Sequence, residues 1–222
     1  MKAEYQAVVI GGGIVGASVL FHLAKLGWKD VVLVERAELT SGSTWHAAAG
    51  YFALNADPNI AALQAYTIKL YDEIEKLSGQ NIGRHHTGGL LLASDPRRWE
   101  MLNASLSTFD VIGINTARLM SPEEIRDLTR GFIKTDDLQG ALYDSQVGYL
   151  DPNGATYAYT GAAKKFGADV VVRNRVLDLK QRFDRTWDVT TENGNIHTEH
   201  VVNAGGLWAK QCGRMAGVEL PV

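Results

Sequence analysis

Gly11, Gly13 and Gly16 stand at G-x-G-x-x-G spacing in VVIGGGIVGASVLFHLAKLG, between an apolar run at residues 7–10 and a helix-like stretch at 14–26. A second apolar run covers residues 31–34 and ends in Glu35, 19 residues after Gly16. Strand, tight turn, helix, strand and acid in this order form the dinucleotide-binding unit, in which the acid falls roughly 20 residues on. Each part has a physical task. Gly11 lets the chain turn sharply out of the strand. Gly13 lets a pyrophosphate approach the backbone. Gly16 lets the helix pack closely on the sheet. The first helical residues, Ile14 and Val15, present free N–H groups and the positive end of the helix dipole to phosphate. The Glu35 carboxylate can accept from ribose hydroxyls, and its charge disfavours a 2′-phosphate.

The stretch after Glu35-Arg36 is AELTSGSTWHAAAGYF. It is rich in Ser, Thr, Gly and Ala, so hydroxyl and backbone donors such as Ser43 and Thr44 can line a flavin's pyrophosphate and ring. A nicotinamide enzyme has no need of a second polar loop so soon after the ribose acid. The segment VVNAGGLWA, near residue 204, is another glycine turn after a strand and can close over the same dinucleotide. Val176, Ala204, Gly205 and Trp208 complete the expected cofactor-binding set, which thus comprises Gly11, Gly13, Ile14, Val15, Gly16, Glu35, Arg36, Ser43, Thr44 and these four.

Several other residues read as structural. Cys212, the single cysteine, excludes an internal disulfide and fits a reducing compartment such as the cytoplasm; it is expected as a packed core thiol. Adjacent His85 and His86 would point in different directions in a strand, and no carboxylate stands at metal-ligand spacing, so no metal is expected. His197 and His200 are expected to be exposed. Trp45 and Trp208 are expected as core residues near the flavin, and Tyr149, Tyr157 and Tyr159 as packing residues. The RDLTR segment at 126–130 reads as a solvated helix face.

The elements that must position these residues alternate. Ile60, Leu63, Tyr66, Leu70, Ile74 and Leu77 recur every three or four residues, which predicts an amphipathic helix from Asp57-Pro58 to near Gly79. A buried strand is predicted at 89–94, a helix at 96–109, and a helix start at Ser121-Pro122. A short strand follows at 141–143. Asp151-Pro152 caps a helix to about Phe166, ended by Gly167. A strand at 169–172 precedes a three-stranded meander at 175–183, 187–191 and 196–202, with Asp184-Arg185 and Asn193-Gly194 as turns. The fold class expected is α/β: a Rossmann-like FAD-binding domain of glutathione-reductase type, interrupted by part of a substrate-binding layer. The expected segments are 1–84 and 147–222 for the FAD-binding domain and 85–146 for the interrupting layer.

Composition bounds the partners. Of 222 residues, 45% are hydrophobic and 21% charged, as in an ordinary globular protein. A net charge of −3 gives no electrostatic reason to expect nucleic acid or an anionic membrane surface. The apolar N-terminal stretch is expected to be a strand, turn and helix rather than a signal peptide. Its consecutive glycines weaken a helix, and Glu4 and Gln6 stand where basic residues belong. No run reaches bilayer-spanning length.

Taken together, GGGIVG, VLVER, LTSGSTWHAAAG, GYLDP and VVNAGGLWA resemble the amine-oxidising flavoproteins of the D-amino-acid oxidase superfamily, in particular its dimethylglycine and sarcosine dehydrogenase branch. The resemblance spans essentially the whole chain. It implies FAD in the G-x-G-x-x-G fold and, over its ring, a pocket for an N-methylated amino acid. The reaction implied is oxidation of the C–N bond by hydride transfer to the flavin, with the electrons passed to oxygen or to an electron-transfer protein. It also implies that His46, in the STWH segment, is joined to the 8α-methyl of the flavin. This chain carries three alanines, Ala47, Ala48 and Ala49, before Gly50, where two are more usual. The resemblance further implies that the chain is the N-terminal portion of a longer enzyme. The carboxylate-binding residues and last glycine motif of that enzyme would lie elsewhere, and the catalytic residues are not assigned. Two alternatives share the scaffold: a flavin-binding regulatory homologue without turnover, and an oxidase of an unmethylated amino acid.

Overall fold

Apolar side chains on both faces of the first strand, and the glycines that end it, start a layered α/β arrangement. In chain order the elements are β1 (Glu4–Ile10), α1 (Ile14–Lys25), β2 (Val31–Val34), β3 (Gly50–Tyr51), α2 (Pro58–Ser78), β4 (His85–His86) and β5 (Gly89–Ala93). Then come α3 (Pro96–Val111), β6 (Ala117–Met120), α4 (Pro122–Leu128), β7 (Gly140–Asp144), β8 (Gly148–Tyr149) and α5 (Pro152–Lys165). The chain closes with β9 (Asp169–Val171), β10 (Val176–Gln181), β11 (Trp187–Thr191), β12 (Gly194–Asn203) and α6 (Ala209–Met215). This computed structural model describes residues 1–55, 57–111 and 113–221. Ala56, Ile112 and Val222, one in each of the three expected segments, lie outside the described residues.

Two compact units result. The first comprises residues 1–48, 72–82 and 151–222. Its six-stranded sheet has the order β10-β11-β12-β1-β2-β9. β12, β1, β2 and β9 run parallel, while β10, β11 and β12 form the antiparallel meander. All four residues of β2 are buried, as a strand covered on both faces requires. On one face Val8, Ile10, Val32 and Val34 join Leu179, Val189, Ile196 and Cys212, with Met215 and Ala216 packed against them. On the other, α1 packs along α5, and the Phe21 ring meets Tyr159 edge-on at 5.7 Å. Leu20, Phe21 and Leu33 are fully buried there, each worth about 1.5–3 kcal/mol. Asp151 starts α5 by accepting from the N–H groups of Asn153 (2.9 Å) and Gly154 (3.0 Å), which satisfies two of the helix's orphan donors.

The second unit comprises residues 49–71 and 83–150. It holds two antiparallel sheets of three strands, β3-β8-β4 and β5-β7-β6. Met120, Ile125 and Ala141 centre a small core with Leu90, Leu92, Ile133, Leu138 and Tyr143. Ser121 opens α4 with a reciprocal capping box: its hydroxyl accepts from Glu124 N–H, and Glu124 accepts from Ser121 N–H.

Several expectations need correction. α2 forms where the spacing predicts it, but only Leu70 and Ile74 of its apolar stripe are buried; Ile60, Leu63 and Tyr66 are exposed. Periodicity fixes which residues share a face, not what covers that face. β5 is only partly buried, being one outer strand of a three-stranded sheet. His197 is half-buried, with Nδ1 3.4 Å from the Asp188 carboxylate, because its strand is central in the sheet. Tyr159 packs as expected, whereas Tyr149 and Tyr157 are exposed.

Candidate functional site

A cleft of about 380 Å³ lies in the first unit, where the carboxyl ends of β1, β2 and β12 come together. Open α/β sheets bind ligands at this end of their strands. The wall follows from the chain's exits. Gly11, Gly12 and Gly13 leave β1, Glu35 and Arg36 leave β2, and Ala204, Gly205 and Gly206 leave β12. Ser41, Gly42, Ser43, Thr44 and Ala47 form a further side.

The glycines keep the exits close together. Gly11 has φ +115°, and a Cβ on it would fall on the Ala204 carbonyl. A Cβ on Gly16 would fall on the Gly11 carbonyl oxygen. Gly13, the N-cap of α1 with φ −79°, has an ordinary backbone. A Cβ there would meet only Thr44 Oγ1, at 3.1 Å. A side chain on Gly13 would therefore intrude beside the helix N-terminus. Ile14 and Val15, the first residues of α1, line the cleft, and the helix dipole favours an anion at that end. Ile14 N–H donates to Thr44 Oγ1 at 3.1 Å.

Glu35 occupies the end of β2 and is only 8% exposed. Its Oε2 accepts from Gly12 N–H at 2.6 Å, and its Oε1 from Ala37 N–H at 2.8 Å. The carboxylate thus ties the glycine turn to the chain leaving β2. Beside it the Arg36 guanidinium lies 3.5 Å from the centre of the Trp208 ring, a close cation–π stack. Arg175 adds a second guanidinium to the wall and pairs with Glu192 at 3.1 Å. A glycine cradle and a helix N-terminus suit the diphosphate of a dinucleotide, and an acid at the end of the second strand suits its adenosine side, so the residues present fit that group.

The sequence matches the family of FAD dependent oxidoreductases (DAO) over residues 6–222. It is 36% identical over 221 residues to the mitochondrial dimethylglycine dehydrogenase of Rattus norvegicus, covering 100% of this chain and 26% of that protein. With the mitochondrial sarcosine dehydrogenase of Mus musculus the identity is 39% over 228 residues, covering 100% and 25%. Among solved structures, L-proline dehydrogenase from P. horikoshii superposes with a TM-score of 0.89 at 26% identity, covering 100% of this chain and 58% of that one. The chain belongs to the FAD dependent oxidoreductase family. FAD is the cofactor of this fold, and the expected α/β class holds. The chain spans about a quarter of the length of these two dehydrogenases.

In this member of the family, most of the expected cofactor residues meet in one wall. Gly11, Gly13, Ile14, Val15, Glu35, Arg36, Ser43, Thr44, Val176, Ala204, Gly205 and Trp208 all line the cleft. Gly16 and His46 are not among its lining residues. Gly16 supports the cleft from behind, against the Gly11 carbonyl. His46 sits on an exposed 3-10 turn (Thr44–His46), next to the lining residue Ala47. Trp45 is 55% exposed, not a core residue. The short turn lifts it off the surface, and its ring stacks on His46 at 3.7 Å.

The sequence reading missed Arg175, Leu207, Gln211 and Met215, which also line the cleft. Gln211 and Met215 are four residues apart on α6, a spacing that puts them on one helix face. Arg175 carries no comparable signal. Cys212 is packed in the core as expected and also reaches the wall. Burial pushes its thiol up from the ordinary value, so the neutral form prevails. Among the described residues, no group of three or more His, Cys, Asp or Glu side chains is placed to hold a metal. No helix among them is long and apolar enough to cross a membrane.

Proposed function

We propose that this chain contributes the FAD-binding portion of an amine oxidoreductase acting on an N-methylated amino acid of the dimethylglycine or sarcosine type. The first unit would hold FAD, and the second would contribute to the substrate layer. Gly13, Ile14, Val15, Ser43 and Thr44 would hold the diphosphate, with Glu35, Arg36, Val176 and Trp208 towards the adenosine. Gly11 and Gly16 would shape the turn, and Ala204 and Gly205 would close over the cofactor. Bound flavin supplies a two-electron acceptor, and the oxidised amine is then open to hydrolysis by water. The chain's own part is to bind the cofactor, orient it and exclude competing reactions.

One observation carries the choice of branch. Thr44 joins the STWH segment to the N-terminus of α1, and Ser43, Thr44 and Ala47 lie in the cleft wall. A cofactor in that cleft passes beside the segment that resembles the dimethylglycine and sarcosine dehydrogenases. Attachment of the flavin through His46 belongs to the same reading, as does an acceptor that is either oxygen or an electron-transfer protein. A cytoplasmic location rests on cysteine usage alone.

The test is anaerobic mixing of the FAD-loaded holoenzyme that contains this chain with dimethylglycine, sarcosine or glycine, following oxidised-flavin absorbance. Bleaching by the two N-methylated substrates and not by glycine is the expected outcome. Bleaching by glycine alone would replace this reading with an oxidase of unmethylated amino acids. Stoichiometric FAD with no bleaching by any amine would favour a regulatory flavin-binding homologue.

A further inference from the structure

One nitrogen of the His46 ring is already committed. Nδ1 lies 3.2 Å from the carbonyl oxygen of Gly42. A carbonyl oxygen only accepts, so the hydrogen of that bond belongs to Nδ1. In the neutral ring Nε2 then keeps its lone pair. This is the opposite of the Nε2–H tautomer that a free histidine side chain prefers in water.

The surrounding backbone fixes the turn that makes this bond. His46 N–H donates to Ser43 O at 3.3 Å, and Ala47 N–H donates to Thr44 O at 3.1 Å. Thr44 Oγ1 accepts from Ile14 N–H at 3.1 Å and so hangs the turn on the first residue of α1. The Trp45 ring lies against the imidazole with centroids 3.7 Å apart and planes 34° apart, restricting its rotation.

We propose that Thr44 and Trp45 are positioning residues that, with the Gly42 carbonyl, hold His46 as its Nδ1–H tautomer and leave Nε2 as the unprotonated nitrogen. The inference rests on the reading of His46 as a residue beside the flavin and deepens it. A neutral nitrogen with a free lone pair is what reaction at a flavin carbon requires. Here the protein sets it before any cofactor arrives. A hydrogen bond of ordinary net strength shifts a tautomer ratio by about 2- to 10-fold.

Nitrogen-15 NMR of histidine-labelled, FAD-free protein reads the tautomer directly, at a pH where the ring is neutral and with His46→Gln assigning the signals. The expected result is a pyrrole-type Nδ1 and a pyridine-type Nε2. Thr44→Val and Trp45→Ala should each move the ratio towards that of free histidine, and Thr44→Ser should restore it. A wild-type ring protonated mainly on Nε2 would overturn the proposal, whether or not any variant folds. Unchanged ratios in both Thr44→Val and Trp45→Ala would remove these residues from the positioning role. Failure of the flavin reading is distinguishable. Complete release of flavin by acid would refute attachment, while the tautomer measured without FAD would stand.

Discussion

Replacing Glu35 by alanine tests whether the carboxylate acts mainly on the cofactor or on the fold. In the structure it accepts from two backbone N–H groups, those of Gly12 and Ala37, in an almost fully buried position. Alanine leaves both donors without that partner. An unsatisfied buried donor costs about 1–3 kcal/mol, so the pair gives about 2–6 kcal/mol. That is a large share of the roughly 5–15 kcal/mol that holds a domain together. With a urea slope of about 3 kcal/mol per molar, the unfolding midpoint of the FAD-free protein should fall by about 0.7–2 M. Glu35→Gln keeps one acceptor but turns an NH₂ towards the other N–H, so its midpoint should fall between the two. The assay is urea denaturation followed by circular dichroism, with FAD titrated separately into each folded variant. If Glu35→Ala unfolds within about 0.3 M of wild type while binding FAD tenfold or more weakly, the clip between the glycine turn and β2 is not structural. A purely ribose-directed carboxylate would give that pattern.

Other outcomes follow from the same geometry. Gly13→Val should leave the protein folded, because its backbone is ordinary, but abolish the flavin absorbance of the purified protein; unchanged FAD occupancy would refute the phosphate-cradle assignment. Gly16→Ala should destabilise by about 1–3 kcal/mol or more, since its new methyl meets backbone and not a movable side chain, and an unaltered urea midpoint would contradict this. Acid-denatured, FAD-loaded protein should give a fluorescent gel band that His46→Ala removes, and flavin released completely by acid would refute the linkage. The buried Cys212 thiol favours its neutral form in the folded state. Its contribution to stability is therefore full below the unfolded thiol's pKa of about 8.5 and declines as the pH rises through and above it. The urea midpoint of wild type minus that of Cys212→Ala should fall between pH 8 and 10, and a constant difference would count against thiol burial.

The β1–α1–β2 unit could be read from the sequence because every signal in it is local. Apolar runs, three glycines and an acid at fixed spacing specify a strand, a turn and a helix from contacts within about thirty residues. Capping signals are equally local, and Asp151 and Ser121 start helices where their neighbours indicate. Partners distant in sequence were decided only by tertiary packing. The segment at 169–171 pairs with β2 at one edge, while the meander that follows it builds the opposite side of the sheet beyond β12. Strand composition records that a strand is buried, not which neighbour supplies its hydrogen bonds. Glu35 carries the same lesson at the site. Its spacing from the glycines announces an acid at the ribose end, yet its bond to Gly12 exists only because β1 and β2 lie side by side and bring their exits into register. Gln211 and Met215 enter the cleft for a similar reason, since the end of β12 delivers α6 to its wall, and Arg175 enters from the residue before β10; no local pattern encodes either meeting. Helical spacing grouped Ile60 with Leu70, but only the surrounding fold could bury one and leave the other in solvent. A side chain's face is set by backbone geometry within a turn or two; its environment is set by whichever distant segments pack against that face.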